Sequence, residues 1–222
     1  MTLKIAVVVA AGSGERFGGD KAFSTVSGKP LLWWATQSLL PHVDRLVVVT
    51  HPDRLDDAAD LFPEALAVVG GKTRTQSEAR GVSALANVEE SAMVAIHDGA
   101  RPNPSHRLVE ELFAVALKAG GAIPGIPPAR PVIDVKTLKR QDGLVVVQTP
   151  QVYRLAPLRL ALAAADAEGF SGDDTEEVVR RYTVAAETAV VAGDPGNIKV
   201  TYPEDLERVA ALLRSRERSE PR

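Results

Sequence analysis

Val7–Lys21 reads VVVAAGSGERFGGDK, and its meaning decides the fold. Ile5 and Val7–Val9 are buriable β-formers, and Gly12 and Gly14 follow them almost at once. That sequence describes an interior strand running into a tight glycine loop. An ordinary turn would satisfy the same glycines. Two cations, Arg16 and Lys21, argue for more, because they hang on a backbone stripped of side chains. Main-chain N–H groups can then approach an anion closely, and the cations suit it. The stretch therefore reads as a phosphate-binding loop. The Walker pattern does not fit it. A dinucleotide fingerprint would need glycine where Phe17 stands, which counts against a nicotinamide or flavin enzyme.

Outward from this loop, strand-like runs alternate with helical patterns. Ile5–Ala10 precedes Pro30–Leu40, with Pro30 suited to a first helical position. Arg45–Thr50 precedes Arg54–Leu61, and Ala67–Val69 precedes Thr73–Leu85. Met93–Asp98 precedes a helix capped by Ser105 that runs to about Lys118 and ends at Gly120 and Gly121. Such alternation predicts an α/β fold, a mostly parallel twisted sheet with helices on both faces. After Ala122–Ile126 the rhythm breaks. Residues 127–148 are rich in proline and strand formers and read as a short β-hairpin arm. Helical patterns return at Ala156–Glu168 and Asp174–Tyr182. Strands follow at Ala186–Val191 and Ile198–Thr201, and a last helix begins at Pro203. Residues 214–222, RSRERSEPR, lack apolar periodicity and are expected to fray. One domain over 1–222 is the simplest organisation.

Composition narrows the function classes. The formal net charge of −3 gives no basic excess for wholesale nucleic-acid binding. Without cysteine, thiolate catalysis, disulfides and cysteine-based metal sites are excluded. No apolar run is long enough to span a bilayer, and the N-terminus enters a strand directly, so a cytoplasmic protein without membrane partners is expected.

In open α/β sheets ligands bind beyond the carboxyl ends of strands. VAIHDGARP ends a strand at Asp98, where a carboxylate could hold a divalent cation or simply cap the turn before Gly99. His97 points to the opposite face and reads as structural; Arg101 could reach an anion or lie on the surface. GGKTRTQS puts Gly70 and Gly71 after another strand, then Lys72, Arg74 and Ser77 at a helix start. This is either a second anion or base-edge site or a capped helix with solvated charges. Lys199 in GNIKVTYPEDL is either an edge residue or a phosphate clamp, and SGDDTEE from Ser171 reads as a helix start.

Together these segments resemble one family. AAGSGERF with Lys21, GKPLL, GG with Arg74 and Ser77, HDGARP, QTPQ and NIKVT-x-PEDL stand in the order found in 2-C-methyl-D-erythritol 4-phosphate cytidylyltransferases. The resemblance runs from Ile5 to about Leu213. It implies a Rossmann-like nucleotidyltransferase fold and CMP transfer from CTP, with Mg²⁺, to a polyol phosphate in isoprenoid-precursor synthesis. It implies that Ala10, Ala11, Gly12 and Gly14 wrap the CTP phosphates while Arg16 and Lys21 stabilise the transition state. Gly71 and Ser77 would read the cytosine and ribose side, and Asp98, followed by Gly99, would hold the metal beside the nucleotide. Arg101, Thr149 and Lys199 would bind the substrate phosphate, and the arm would help form a homodimer.

The arm departs from the family. Val135 replaces a threonine, Gln141 stands where an arginine is usual, and the segment is shorter; farther on, Gly172 replaces a threonine. Arg140, next to the vacated position, is expected to take over the phosphate contact, from its own or a neighbouring subunit; otherwise it is a solvated charge and Lys199 acts alone. Ribitol 5-phosphate as the acceptor, and a non-catalytic nucleotide-binding module, remain the alternatives.

Overall fold

A computed structural model of the chain describes residues 2–12, 14–183 and 187–219. In chain order the strands are β1 Lys4–Ala10, β2 Thr25–Val26, β3 Lys29–Pro30, β4 Arg45–Thr50, β5 Leu66–Val69, β6 Met93–Asp98, β7 Gly120–Ile126, β8 Val132–Ile133, β9 Arg140–Gln141, β10 Val146–Val147, β11 Gln151–Arg154 and β12 Glu187–Ala192. The helices are α1 Leu31–Gln37, α2 Leu55–Leu61, α3 Arg74–Ser83, α4 His106–Ala119, α5 Leu155–Glu168, α6 Thr175–Tyr182 and α7 Asp205–Ser219.

The main sheet runs β10-β7-β11-β6-β1-β4-β5, with β12 also paired to β7. β6, β1, β4 and β5 pair in parallel, as do β12 and β7; β10 and β11 run antiparallel to their neighbours. Alternation along β1 explains its unbroken apolar run. Ala6 and Val8 pack with Leu32 of α1 and Leu108, Leu112 and Phe113 of α4. Ile5 and Val7 pack on the opposite face with Val82 of α3, Leu158 and Leu162 of α5, and Val178 of α6. A strand buried on both faces needs apolar residues at every position.

Several local expectations shift. Pro30 is the N-cap of α1 instead of its first helical residue, and a β2–β3 hairpin precedes it. Ser105 caps α4 by accepting from the Leu108 N–H, and Gly120 ends it at φ 100°. Ile198–Thr201 is no strand: Val200 N–H donates to the Ala100 carbonyl at 2.9 Å, but Ala100 lies past the end of β6, where no ladder continues. The tail expected to fray from 214 continues α7 to Ser219. Val209 and Leu213 bury its stripe against Val26, Leu31 and Val200, and Arg216 donates to Asn103 Oδ1 at 3.0 Å and to the Pro104 carbonyl at 2.9 Å. Residues 220–222, and Ala186 of the expected Ala186–Val191 strand, lie outside the described residues.

Candidate active site

The loops leaving β1, β4, β5 and β6 at their carboxyl ends enclose a cleft of about 690 Å³. From the first loop, Ala10, Ala11, Gly12 and Lys21 line it. Gly14, at φ 65°, turns the chain: the N–H groups of Phe17 and Gly18 donate to its carbonyl, and a Cβ there would collide with the Gly19 carbonyl oxygen. Only glycine fits such a position. The loop's far end is pinned where Asp20 accepts from Arg54 Nε at 2.8 Å.

Opposite stands the loop after β5. Gly70 is pressed against Ala11 so closely that a Cβ would overlap that side chain. Ser77, buried on α3, accepts the Gly71 N–H at 3.1 Å and donates to the Thr73 carbonyl at 2.9 Å. Arg80 donates to the Gly70 carbonyl at 2.6 Å. A hydroxyl and a guanidinium thus fix the glycine pair on the cleft wall.

Asp98 is the acidic side chain lining the cleft among the described residues. Lys199 Nζ lies 2.8 Å from Oδ2, Arg74 Nη2 lies 3.1 Å from Oδ1, and Arg101 Nε lies 3.6 Å from Oδ2. Burial alone would raise the carboxyl pKa; Arg74, Lys199 and Arg101 overcome it and hold the group far below the usual carboxylate range. Lys21 feels the reverse. Burial, then Lys199, push its ammonium pKa down, with Asp98 partly opposing and Arg16 adding to the fall. Lys21, Arg74 and Lys199 against one aspartate leave the cleft cationic, a site for a polyanion.

His97 is buried and engaged at both ring nitrogens. Its Nε2 donates to the Arg101 carbonyl at 2.9 Å, so Nδ1 accepts the Thr149 hydroxyl at 3.1 Å. Burial lowers its pKa to about 4, which keeps the ring neutral. Thr149 Oγ1 in turn accepts the Asp98 N–H at 3.0 Å. Arg101 and Gln148 both donate to the Asn197 carbonyl, and Asn197 donates to the Thr149 carbonyl at 2.8 Å. The motifs HDGARP, QTPQ and GNIK therefore lock together and seat Lys199 beside Asp98.

Of the residues singled out from sequence, the cleft gathers Ala10, Ala11, Gly12, Lys21, Gly71, Ser77, Asp98 and Lys199. Gly14, Gly99, Arg101 and Thr149 stand behind it as supports; Gly99 N–H donates to the Val9 carbonyl, and a Cβ there would crowd Ala10. Arg16 is exposed and outside the lining. Arg140 lies in the arm, ion-paired to Asp142 at 2.9 Å and beside a separate groove. Arg80 is a cleft residue that the sequence did not point to, and Arg74, one of the charges of the possible second anion site, had no role of its own. The signal for Arg74 was present: an arginine three residues after a glycine pair, with Glu78 one turn further along.

One carboxylate facing an anion site suits Mg²⁺, which takes one or two carboxylates and completes its shell with phosphate and water. No group of three acidic, histidine or cysteine residues that could hold a metal by itself occurs among the described residues. The set fits a cation that arrives with a nucleotide.

A sequence profile for 2-C-methyl-D-erythritol 4-phosphate cytidylyltransferase matches residues 4–215. The chain belongs to that family. The cytidylyltransferase of this name from Chromobacterium violaceum is 39% identical over 232 residues, covering 96% of this chain and 99% of the relative. A bifunctional enzyme IspD/IspF from Dinoroseobacter shibae is 36% identical across 98% of this chain but only 55% of its own length. The crystal structure of the cytidylyltransferase from Thermus thermophilus superposes with a TM-score of 0.76 at 29% identity, covering 94% of this chain and 98% of that one. The fold is the α/β Rossmann-like nucleotidyltransferase fold, and membership makes the chain a cytidylyltransferase of isoprenoid-precursor synthesis with CTP as co-substrate.

Proposed function

We propose that the cleft binds CTP with its triphosphate along Ala10–Gly12 and Lys21 and its cytosine and ribose toward Gly71 and Ser77. Lys199 then places the phosphate of 2-C-methyl-D-erythritol 4-phosphate. A phosphate oxygen attacks the α-phosphorus of CTP in line, the bond to the β-phosphate oxygen breaks, and pyrophosphate leaves, giving 4-diphosphocytidyl-2-C-methyl-D-erythritol. The nucleophile is already an anion, so the reaction needs cations and alignment instead of a base. Arg16, from the turn beside Lys21, adds charge when the triphosphate is present. Asp98 would hold Mg²⁺, which when bound neutralises phosphate charge. The observation that carries this reading is the convergence of Lys21, Arg74 and Lys199 around buried Asp98.

The chain is read as one domain over 1–222 and as a cytoplasmic enzyme; no described helix is long and apolar enough to cross a membrane. Val132, Ile133, Val135, Leu138, Leu144 and Val146 of the arm are exposed. An apolar cluster of that kind supports a homodimer formed through the arm. Arg140 is more than half exposed and outside its own cleft's lining, which favours a phosphate contact made to a neighbouring subunit. Val135 and Gln141 also favour a second reading in which another polyol phosphate, such as ribitol 5-phosphate, is the acceptor. Lys199→Ala tests the placement: the KM for the polyol phosphate should rise at least tenfold with that for CTP changing little. Unchanged constants would remove Lys199 from the acceptor site.

A further inference from the structure

Glu78 is the buried acid of α3, 1% exposed, where α3 and α6 bury Thr75, Ser77 and Thr175 beside the apolar Val82, Val178 and Val179. Ionic groups in such places are often replaceable by apolar ones without loss of stability, so a carboxylate here calls for a geometric reason. Its partners supply one. Oε1 accepts from Arg74 Nε at 2.7 Å and from the Thr175 hydroxyl at 3.1 Å. Thr175 is the first residue of α6 and fully buried. A parallel tie runs beside it, where the Gly172 N–H donates to Thr75 Oγ1 at 3.1 Å.

The consequence lies in how Arg74 meets Asp98. With Nε committed to Glu78, Arg74 presents Nη2 to Oδ1 of Asp98, while Nη1 is 3.4 Å from the Asp173 carbonyl. An unrestrained guanidinium would be free to close side-on over the carboxylate with two parallel bonds. End-on contact leaves Oδ2 open to Lys199 at 2.8 Å, with Arg101 Nε farther off at 3.6 Å. We propose that Glu78, backed by Thr175, is a positioning residue that fixes Arg74 in the cleft and keeps Asp98 shared between Arg74 and Lys199. The proposal rests on the cleft being the CTP site.

Steady-state pyrophosphate release by the full chain, with CTP and 2-C-methyl-D-erythritol 4-phosphate, tests it. Glu78→Leu should lose kcat/KM for CTP by about as much as Arg74→Ala, on the order of tenfold to a hundredfold. The double variant should lose no more than either single change, because both remove one oriented guanidinium. Glu78→Gln keeps an acceptor for Nε and should recover most of the activity, whereas Glu78→Met, which fills similar space without that acceptor, should not; equal recovery by both would reduce Glu78 to packing. Thermal unfolding supplies an independent check: Arg74→Ala strands a buried carboxylate, so adding Glu78→Leu should raise the melting temperature. If Glu78→Leu does not fold, Thr175→Val carries the kinetic test and should lower kcat/KM for CTP several-fold. Wild-type kinetics in a folded Glu78→Leu or Thr175→Val variant, or multiplying losses in the double variant, would overturn the proposal. Calorimetric binding of inorganic pyrophosphate separates the two levels. A wild-type chain that fails to turn over CTP would sink the reading of the reaction, while Glu78 would still be judged by whether Glu78→Leu weakens pyrophosphate binding as Arg74→Ala does.

Discussion

Lys21 sits where burial and like charges make its ammonium costly, and a triphosphate beside it would lower that cost. Its charge is best placed against the charge that grows as the α-phosphorus is attacked. Lys21→Ala should therefore lower kcat by about a hundredfold with a much smaller change in the KM for CTP. Steady-state kinetics decide this, and wild-type turnover would take Lys21 out of the transition state. Away from the cleft, His42 carries a pH signature. Its Nε2 is 2.9 Å from His106 Nδ1, and Nδ1 is 3.8 Å from Glu110 Oε1, with Lys4 and Arg216 also acting on it. Burial, then His106, lower its pKa below the usual 6.5, with Glu110 partly opposing and Lys4 and Arg216 adding to the fall. The folded state then binds fewer protons than the unfolded one. His42 stabilises the fold fully above pH 6.5, and that contribution is lost as pH falls below 6.5 toward its folded pKa. His42→Gln should flatten the fall of melting temperature between about pH 7 and 5; an unaltered slope would contradict the assignment.

The loops after β1 and β5 work as a pair, one bent by Gly14 and the other held by Ser77. Ser77→Ala frees the Gly71 N–H and should cost about 1 kcal/mol of stability. It should also raise the KM for CTP more than that for the polyol phosphate, because the loop it releases is where the proposed placement puts the nucleotide's base. Equal changes in both constants would put Ser77 outside the nucleotide site. At this scale the sequence was most legible where burial is two-sided. β4 and β6 fall at their expected limits because their interior positions must be apolar on both faces, with the site residues His97 and Asp98 closing β6. Asp98 was legible as a ligand candidate for the same reason, as a charge closing an apolar run. Arg74 was legible only in part. RTQSE has the composition of a solvated helix start; the i,i+4 pairing with Glu78 can be read from spacing, but the contacts with Asp98 and with the Asp173 carbonyl just before α6 cannot. Pairings between distant segments leave no periodicity to read. Ile198–Thr201 failed for the converse reason, since it has strand composition and no neighbouring ladder to join.

At the scale of the molecule, the arm is the part with an unmet demand. Val135 and Leu138 are 85% and 79% exposed on a short β8–β9 hairpin, a burden that a second copy would relieve. Val135→Asp with Leu138→Asp should convert a dimer to a monomer in sedimentation equilibrium without lowering the melting temperature of the subunit; a wild-type chain that is monomeric at micromolar concentration would contradict the arm-mediated assembly. The sheet and its helices deliver the cleft, and the arm carries the departures that bear on the acceptor. Transfer of CMP from CTP to 2-C-methyl-D-erythritol 4-phosphate is the reaction proposed for this cleft. Its most direct test is pyrophosphate release by the purified chain across CTP, UTP, ATP and GTP, each with 2-C-methyl-D-erythritol 4-phosphate or ribitol 5-phosphate. The highest kcat/KM is expected for CTP with 2-C-methyl-D-erythritol 4-phosphate, by at least tenfold over every other pair; a preference for ribitol 5-phosphate, or for another nucleotide, would rule this reaction out.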